Sequence, residues 1–151
     1  MSEGGAVAVS VWLRLLKAHG LLLREVRRRV PGPLTLPQFD VLAQLHRHGG
    51  EGMTPGELTR ELLVTAGNLT GIVERLTRME LVSRHSVPGD RRAVRLRLTS
   101  KGRRLMRSAI PRHRRQVVSL VSVLPEGELR RLRRLLGDLG HGLQRKVEGR
   151  S

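Results

Sequence analysis

Residues 54–101 constrain this chain more than any other stretch: TPGELTRELLVTAGNLTGIVERLTRMELVSRHSVPGDRRAVRLRLTSK. Thr54, Pro55, Gly56 and Glu57 spell a capping box with proline at the first helical position, where no intrahelical N–H is needed. That opens a short helix to about residue 63. A turn around Val64 and Thr65 leads into a second helix, from about residue 66 to 79. Residues 81–87 and 92–98 read as strands, joined by a turn of Pro88, Gly89 and Asp90. In the second strand Val94, Leu96 and Leu98 alternate with Arg95 and Arg97, the period of a half-buried strand. Thr99 is placed to cap the helix that follows.

The flanks are helical. From Val7 to about Val30, Trp12, Leu15, Leu16, His19, Leu22, Leu23, Val26 and Val30 recur three and four apart, with Arg14, Lys17, Arg24 and Arg27 on the other side. Three prolines in residues 31–37 stop this helix. A second helix over 37–48 turns Phe39, Leu42, Ala43 and Leu45 inward and ends at Gly49, Gly50 and Gly52. After Thr99 a helix runs to about Leu124, and Pro111 inside it predicts a kink or a break. Pro125 and Glu126 open the last helix. Its apolar stripe is Leu129, Leu132, Leu136, Leu139 and Leu143, with Arg130, Arg131, Arg133 and Arg134 solvated and a frayed tail from about Lys146.

Two short helices, a hairpin and a further helix make a winged helix-turn-helix. On residues 65–79, Leu69, Ile72, Val73, Leu76 and Met79 face a core. Thr65, Gly67, Asn68, Thr70, Gly71, Glu74, Arg75 and Arg78 are left outside. Small residues let a helix approach base edges, Asn and Arg can read or anchor there, and helix N-terminal amides suit a phosphate. Asp90, Arg91 and Arg92 lie at or just past the hairpin tip, where an arginine can enter a minor groove. Asp90 would orient Arg92 through a salt bridge, since an exposed pair adds only ~0–1 kcal/mol of stability. Arg84, Arg95 and Arg97 add further cations for backbone contacts.

Composition agrees. The formal charge is +16, from 29 basic and 13 acidic residues, and only Lys17, Lys101 and Lys146 are lysines. Arginine offers a planar fork of donors that matches phosphate and guanine. Such a balance favours nucleic acid ahead of a membrane as partner. The chain has no cysteine, which excludes disulfides, thiol redox sensing and cysteine-ligated zinc. Trp12 and Phe39 are the only aromatics, so the core must be aliphatic. At 151 residues the chain reads as a single domain. Arg14 and Lys17 interrupt the N-terminal apolar segment, which argues against a signal peptide or a membrane span and for a cytoplasmic protein.

Taken together, the blocks LTLPQFDVLAQL, residues 54–101 and the leucine-rich last helix resemble the MarR family of bacterial transcriptional regulators over about residues 7–145. The most specific positions are Arg75, Leu76, Leu81, Val82, Arg84, Asp90, Arg91, Arg92, Val94, Leu96, Leu98, Thr99, Lys101 and Gly102. The resemblance implies a mainly α protein with a small β-hairpin wing (α+β): a winged lobe over 37–101, with dimerisation helices over 7–30 and 103–145. It further implies a homodimer on a palindromic operator in double-stranded DNA. Asn68, Thr70, Gly71 and Arg75 would face the major groove, and Arg92 would be the wing arginine. Many members release DNA when a small, often aromatic anion binds between the dimer helices and the DNA-binding lobe. That site would fall near Trp12, Leu16, Phe39, Leu42, Leu45 and Leu105, with His19 and His46 as polar handles. The chain has no tyrosine to bond a phenolic ligand.

Other classes fare worse. No nucleophile elbow, P-loop or Rossmann glycine pattern is present, so an enzyme is not expected. The six histidines are scattered without an accompanying Glu-x-x-His, and neither metal nor cofactor is expected. The alternative is a ligand-independent, largely nonspecific or architectural DNA-binding protein that relies on charge. The groove-facing Asn68, Thr70 and Arg75 favour sequence-specific reading. A membrane-surface protein is the weaker third option, since the arginine-rich helices present no apolar insertion face.

Overall fold

The computed structural model describes residues 3–30, 32–62, 65–87 and 90–149, with residues 90–93 described by backbone alone. The elements are α1 (Glu3–Arg27), α2 (Leu36–His48), a single 3₁₀ turn (Gly49–Glu51), α3 (Pro55–Leu62), α4 (Ala66–Arg78), β1 (Val82–Val87), β2 (Asp90–Leu98), α5 (Ser100–Val121) and α6 (Glu126–Glu148). Two compact units result, Met1–Arg114 and Arg115–Ser151.

Side-chain caps set most of the helix starts in the first unit. Thr35 accepts from the Gln38 N–H at 3.4 Å while Gln38 accepts from the Thr35 N–H at 2.9 Å, a capping box that opens α2 one residue earlier than the proline suggests. The box expected at α3 is also formed: Thr54 accepts from the Glu57 N–H at 3.2 Å, and the Glu57 carboxylate accepts from the Thr54 N–H at 2.7 Å. Thr65 caps α4 by accepting from the Asn68 N–H at 3.3 Å. Thr99 caps α5, accepting from the Gly102 N–H at 3.0 Å and donating its own hydroxyl to the Glu80 carbonyl at 2.6 Å. Gly102 has to be glycine, because a Cβ there would run into the Leu81 carbonyl.

The turn that follows α4 holds a residue that sequence patterning does not flag. Glu80 has φ 60°, left-handed backbone that a side chain rarely adopts. The Leu81 N–H donates to the Leu76 carbonyl at 3.0 Å and the Glu80 N–H to the Thr77 carbonyl at 2.9 Å, so the turn satisfies the last helical carbonyls.

β1 and β2 form an antiparallel hairpin in which Val82 pairs with Leu98, Arg84 with Leu96 and His85 with Arg95. The register shifts between Ser86 and Val87, and Val87 pairs with Asp90. Asp90 therefore opens the strand instead of belonging to the turn, and Pro88 and Gly89, the rest of the expected turn, lie outside the described residues. The expected turn residue Val64 lies outside them as well. Met53 adds a one-residue bridge to Leu96, with N···O distances of 3.0 and 2.7 Å.

The core of this unit is aliphatic, as the composition requires. Phe39, Val41, Leu42 and Leu45 of α2 meet Leu58 of α3, Leu69, Val73 and Leu76 of α4, Val82, Leu96 and Leu98 of the hairpin, and Met106 and Ala109 of α5. A fully buried Leu or Val contributes roughly 1.5–3 kcal/mol, so this cluster is what fixes α4 against the hairpin. From the long N-terminal stripe only Leu23, Val26 and Val30 pack against it. Trp12, Leu15, Leu16 and Leu22 stay exposed on α1, Trp12 by 58%.

α5 continues through Pro111, neither broken nor ended there. Pro111 is exposed, so water can reach the Arg107 carbonyl that proline leaves without a helical donor. In the second unit α6 runs from Glu126 to Glu148, past the expected start of fraying, and buries none of its residues.

Candidate nucleic-acid interface

α4 presents what its sequence promises. Leu69, Val73 and Leu76 are buried, Ile72 and Gly71 are half-buried, and Thr65, Asn68, Thr70, Arg75 and Arg78 are exposed. Two hydroxyls are already committed to the helix. Thr65 caps it, and Thr70 donates back to the Ala66 carbonyl at 3.0 Å, leaving only acceptor capacity for a partner. Asn68, Arg75 and Arg78 keep the donors of the exposed face.

Two clefts flank α4. On one side Thr35, Pro37 and Gln38 of the α2 start line a cleft with Asn68, Gly71 and Arg75. Sequence patterning missed the first three as neighbours of the site, although the Thr-x-x-Gln capping signal was legible. On the other side Arg84 lies in a cleft with Thr54, Pro55, Thr70 and Val94, between α4 and the hairpin. Its cross-strand partner is Leu96, so its strand face is the one turned to the helices. Among the described residues no ion pair engages Arg75, Arg78 or Arg84, and their charge is available to an anionic partner.

Arg95 and Arg97 are placed differently. Strand alternation puts them on the opposite face of the hairpin from Arg84, and both are occupied there. Arg95 donates to the Gly52 carbonyl at 2.9 Å and lies 3.9 Å from the Glu57 carboxylate. Arg97 donates to the Glu51 carbonyl at 3.3 Å. They stitch β2 to the loop before α3. Gly52, at φ 70°, permits this close approach, since a Cβ there would strike the Leu96 carbonyl. The Thr54 backbone bond, followed by the Thr54 hydroxyl and the charges of Arg95 and Arg60, holds the Glu57 carboxyl below its ordinary value despite some desolvation.

Asp90, Arg91 and Arg92 begin β2 by backbone. Their side chains, and with them the expected Asp90–Arg92 pair, lie outside the described residues.

The residues expected at a ligand pocket divide. Trp12, Leu16 and His19 are exposed on α1. Leu42 and Leu45 are buried in the core, and Leu105 is partly buried against it. Phe39 and His46 line a cavity of about 420 Å³ between α2 and α5, which also takes in Asp40, Gln44, Arg47 and His113. The Phe39 and His113 rings lie 4.6 Å apart at 48°. Burial pushes the Asp40 carboxyl above its ordinary value, and the charge of His113 partly opposes that. Among the described residues no trio of His, Asp or Glu is placed to hold a metal ion.

α1 is long and apolar enough to cross a membrane by length and composition, with a mean hydropathy of 1.5 over its best window. Arg14 and Lys17 fall in its middle, where a bilayer would charge heavily for them.

Comparison with known proteins agrees with this geometry. The sequence model of the MarR family matches residues 33–93, the stretch from α2 into β2. The HTH-type transcriptional regulator PecS of Dickeya dadantii is 31% identical over 105 residues, which are 69% of this chain and 63% of PecS. The chain thus spans just under two thirds of that relative. YsmB, an HTH-type transcriptional regulator of Bacillus subtilis, is 30% identical over 113 residues, 75% of this chain and 76% of YsmB. Among solved structures, a MarR family transcriptional regulator from Streptomyces coelicolor in complex with DNA is similar at a TM-score of 0.82 and 25% identity. That likeness covers 92% of this chain and 89% of the other.

Proposed function

Given that the chain belongs to the MarR family of transcriptional regulators, we propose that it is a dimeric, sequence-specific DNA-binding regulator, a repressor relieved by a small ligand. The observation that carries this reading is the exposed face of α4. Asn68, Arg75 and Arg78 are exposed, no ion pair engages the two arginines among the described residues, and Arg84 lies in a cleft between the helix and the hairpin. Asn pairs bidentately with adenine and Arg with guanine in a major groove. The DNA-bound Streptomyces relative supports the same use of the fold.

A homodimer is supported by what one chain leaves uncovered. Trp12, Leu13, Leu16 and Leu22 on α1 and Leu135, Leu139 and Leu143 on α6 are 40–58% exposed. On each helix taken by itself these are more than scattered surface leucines, and they fit burial against a second copy. Two copies place two α4 helices in successive major grooves, about 10 bp apart. A ligand acts by changing the separation of the two lobes. A coupling of ~1–3 kcal/mol is enough.

The test is a salt-titrated anisotropy curve on two labelled duplexes, the upstream region of the gene and a composition-matched scramble. Preference for the first by ~10³ or more at physiological salt supports specific regulation. Equal affinities that collapse together with salt would make the charge of +16 the whole explanation and the protein a nonspecific, architectural binder.

A further inference from the structure

Residues 54–101, which hold α4 and the hairpin, carry only +4 of the net +16, from nine basic and five acidic residues. Most of the excess lies elsewhere, and α5 is where it is least diluted. Seven cations share this 22-residue helix with no Asp or Glu. α6 by contrast mixes six cations with four carboxylates. Two of the seven are spent inside the fold: Lys101 lies 3.1 Å from the Glu80 carboxylate, and Arg103 donates to the Leu98 carbonyl at 2.7 Å and the Ser100 hydroxyl at 3.0 Å. Arg104, Arg107 and Arg114 are exposed, and among the described residues none of them has a side-chain hydrogen bond or an ion pair. They recur at i, i+3 and i+10, which puts them on one side of α5, opposite the side that buries Met106 and Ala109. Like charges three apart on a helix repel, so the row costs stability unless an anion meets it. None of the residues lining the two clefts beside α4 comes from α5, so this surface is separate from the one that reads DNA.

We propose that Arg104, Arg107 and Arg114 bind the phosphate backbone of a second DNA duplex while α4 holds the first, so that the protein bridges two segments of DNA. Charge complementarity carries the choice of partner. The row is about 15 Å long, and a duplex carries one phosphate charge per roughly 1.7 Å of its axis, so all three guanidiniums can reach phosphates on one side of it. Their planar forks match phosphate oxygens in pairs. No large apolar residue between positions 103 and 114 is exposed, so the row has no face to insert into a lipid surface. The inference goes beyond specific reading and ligand control, and needs from them only that α4 binds DNA.

A bridging assay on the full chain is the test. A bead-bound duplex is saturated with protein, washed, and offered a second, fluorescent duplex of unrelated sequence at about 50 mM salt. The protein is expected to capture the second duplex, and capture should weaken roughly 40-fold by about 200 mM salt, as three phosphate contacts require. Arg104→Gln, Arg107→Gln and Arg114→Gln together are expected to cut that capture at least about tenfold while the first duplex stays bound within about twofold. Glutamine keeps nearly the helix propensity of arginine, and far-UV circular dichroism checks the fold. Should the triple variant unfold, Ser108→Glu replaces it. Ser108 is exposed four residues from Arg104, and a carboxylate there must weaken capture of the second duplex alone. No second capture by the natural chain, or undiminished capture by the variants, would overturn the proposal. So would a variant that loses both duplexes together, which would assign the row to the duplex on α4, or one that no longer sediments as the natural chain does, which would make the row a subunit contact. Vesicles of phosphatidylglycerol that outcompete the second duplex would assign it to lipid instead. Specific reading fails separately: a first duplex bound without sequence preference sinks that reading and leaves bridging standing.

Discussion

Asn68 and Arg84 line clefts on opposite sides of α4 and should fail differently when truncated. Asn68 keeps a free side-chain amide on the exposed face of α4, so Asn68→Ala should cost about 1–3 kcal/mol on the preferred duplex and little on a scramble. An equal loss on both would remove it from base reading. Arg84 is a cation between helix and hairpin without an intramolecular ion pair among the described residues. Arg84→Ala should weaken binding on every duplex and lower the salt slope by about 1. Arg95 makes the useful contrast. Its guanidinium is held by Gly52 and Glu57 on the far face of the hairpin, so Arg95→Ala should leave the salt slope unchanged and lower the melting temperature. Glu80 carries strain at φ 60°. Replacing it with glycine removes a conformational cost of roughly 1–3 kcal/mol, against the loss of one exposed ion pair with Lys101. Denaturant unfolding of Glu80→Gly should show a net gain in stability.

At the scale of elements, the start of α3 is a titratable joint. The Glu57 carboxylate caps the helix and faces Arg95 of β2, and its folded pKa lies below the ordinary 4.5. A depressed acid contributes stability in full above its unfolded value, and that contribution is lost as pH falls through the folded value. Stability should therefore drop on acidification below about pH 4.5, and Glu57→Gln should flatten that limb. Asp40 has the opposite sign. Its folded pKa is raised above 3.8, so its contribution is fullest below 3.8 and fades as pH climbs through the raised value. Thermal melts of the two variants across pH 3 to 6 would separate them, the Glu57 variant losing its acid limb and Asp40→Asn gaining relative stability at the upper end. The helix through Pro111 makes a similar point about context. Intrinsic propensity disfavours proline in a helix by about 3 kcal/mol, yet α5 is continuous, because Met106 and Ala109 just before it are buried in the core.

On the scale of the molecule, the first unit owns the core and α6 owns almost none. Leu132, Leu135, Leu136, Leu139 and Leu143 of α6 and the first half of α1 are exposed in one chain. Removing residues 1–24 should therefore leave the winged lobe folded while breaking the dimer. Analytical ultracentrifugation beside circular dichroism would check both halves of that statement. A truncated chain that still sediments as a dimer would assign the interface to the C-terminal helices alone. The net charge of +16 makes any DNA affinity steeply salt-dependent, so specificity has to be measured as a ratio at fixed salt.

What the amino-acid order determined by itself is everything set by short-range physics. Period-three-and-four stripes, the Thr54 and Thr99 caps, and the alternation through Val94, Leu96 and Leu98 place each element within a few residues. The exposed face of α4 follows from the same periodicity. Tertiary structure decided what depends on neighbours distant in sequence. It tied Arg95 and Arg97 to the loop before α3, because Glu51, Gly52 and Glu57 arrive there from outside the hairpin. It left the first half of α1 bare and drew only Leu23, Val26 and Val30 to the core. It also gathered Asp40, Gln44 and His113 around one cavity from helices some 70 residues apart in the chain. Local patterns report which side of an element is apolar. Only packing settles which groups meet across the gap, since that depends on loop lengths and helix angles that no periodicity encodes.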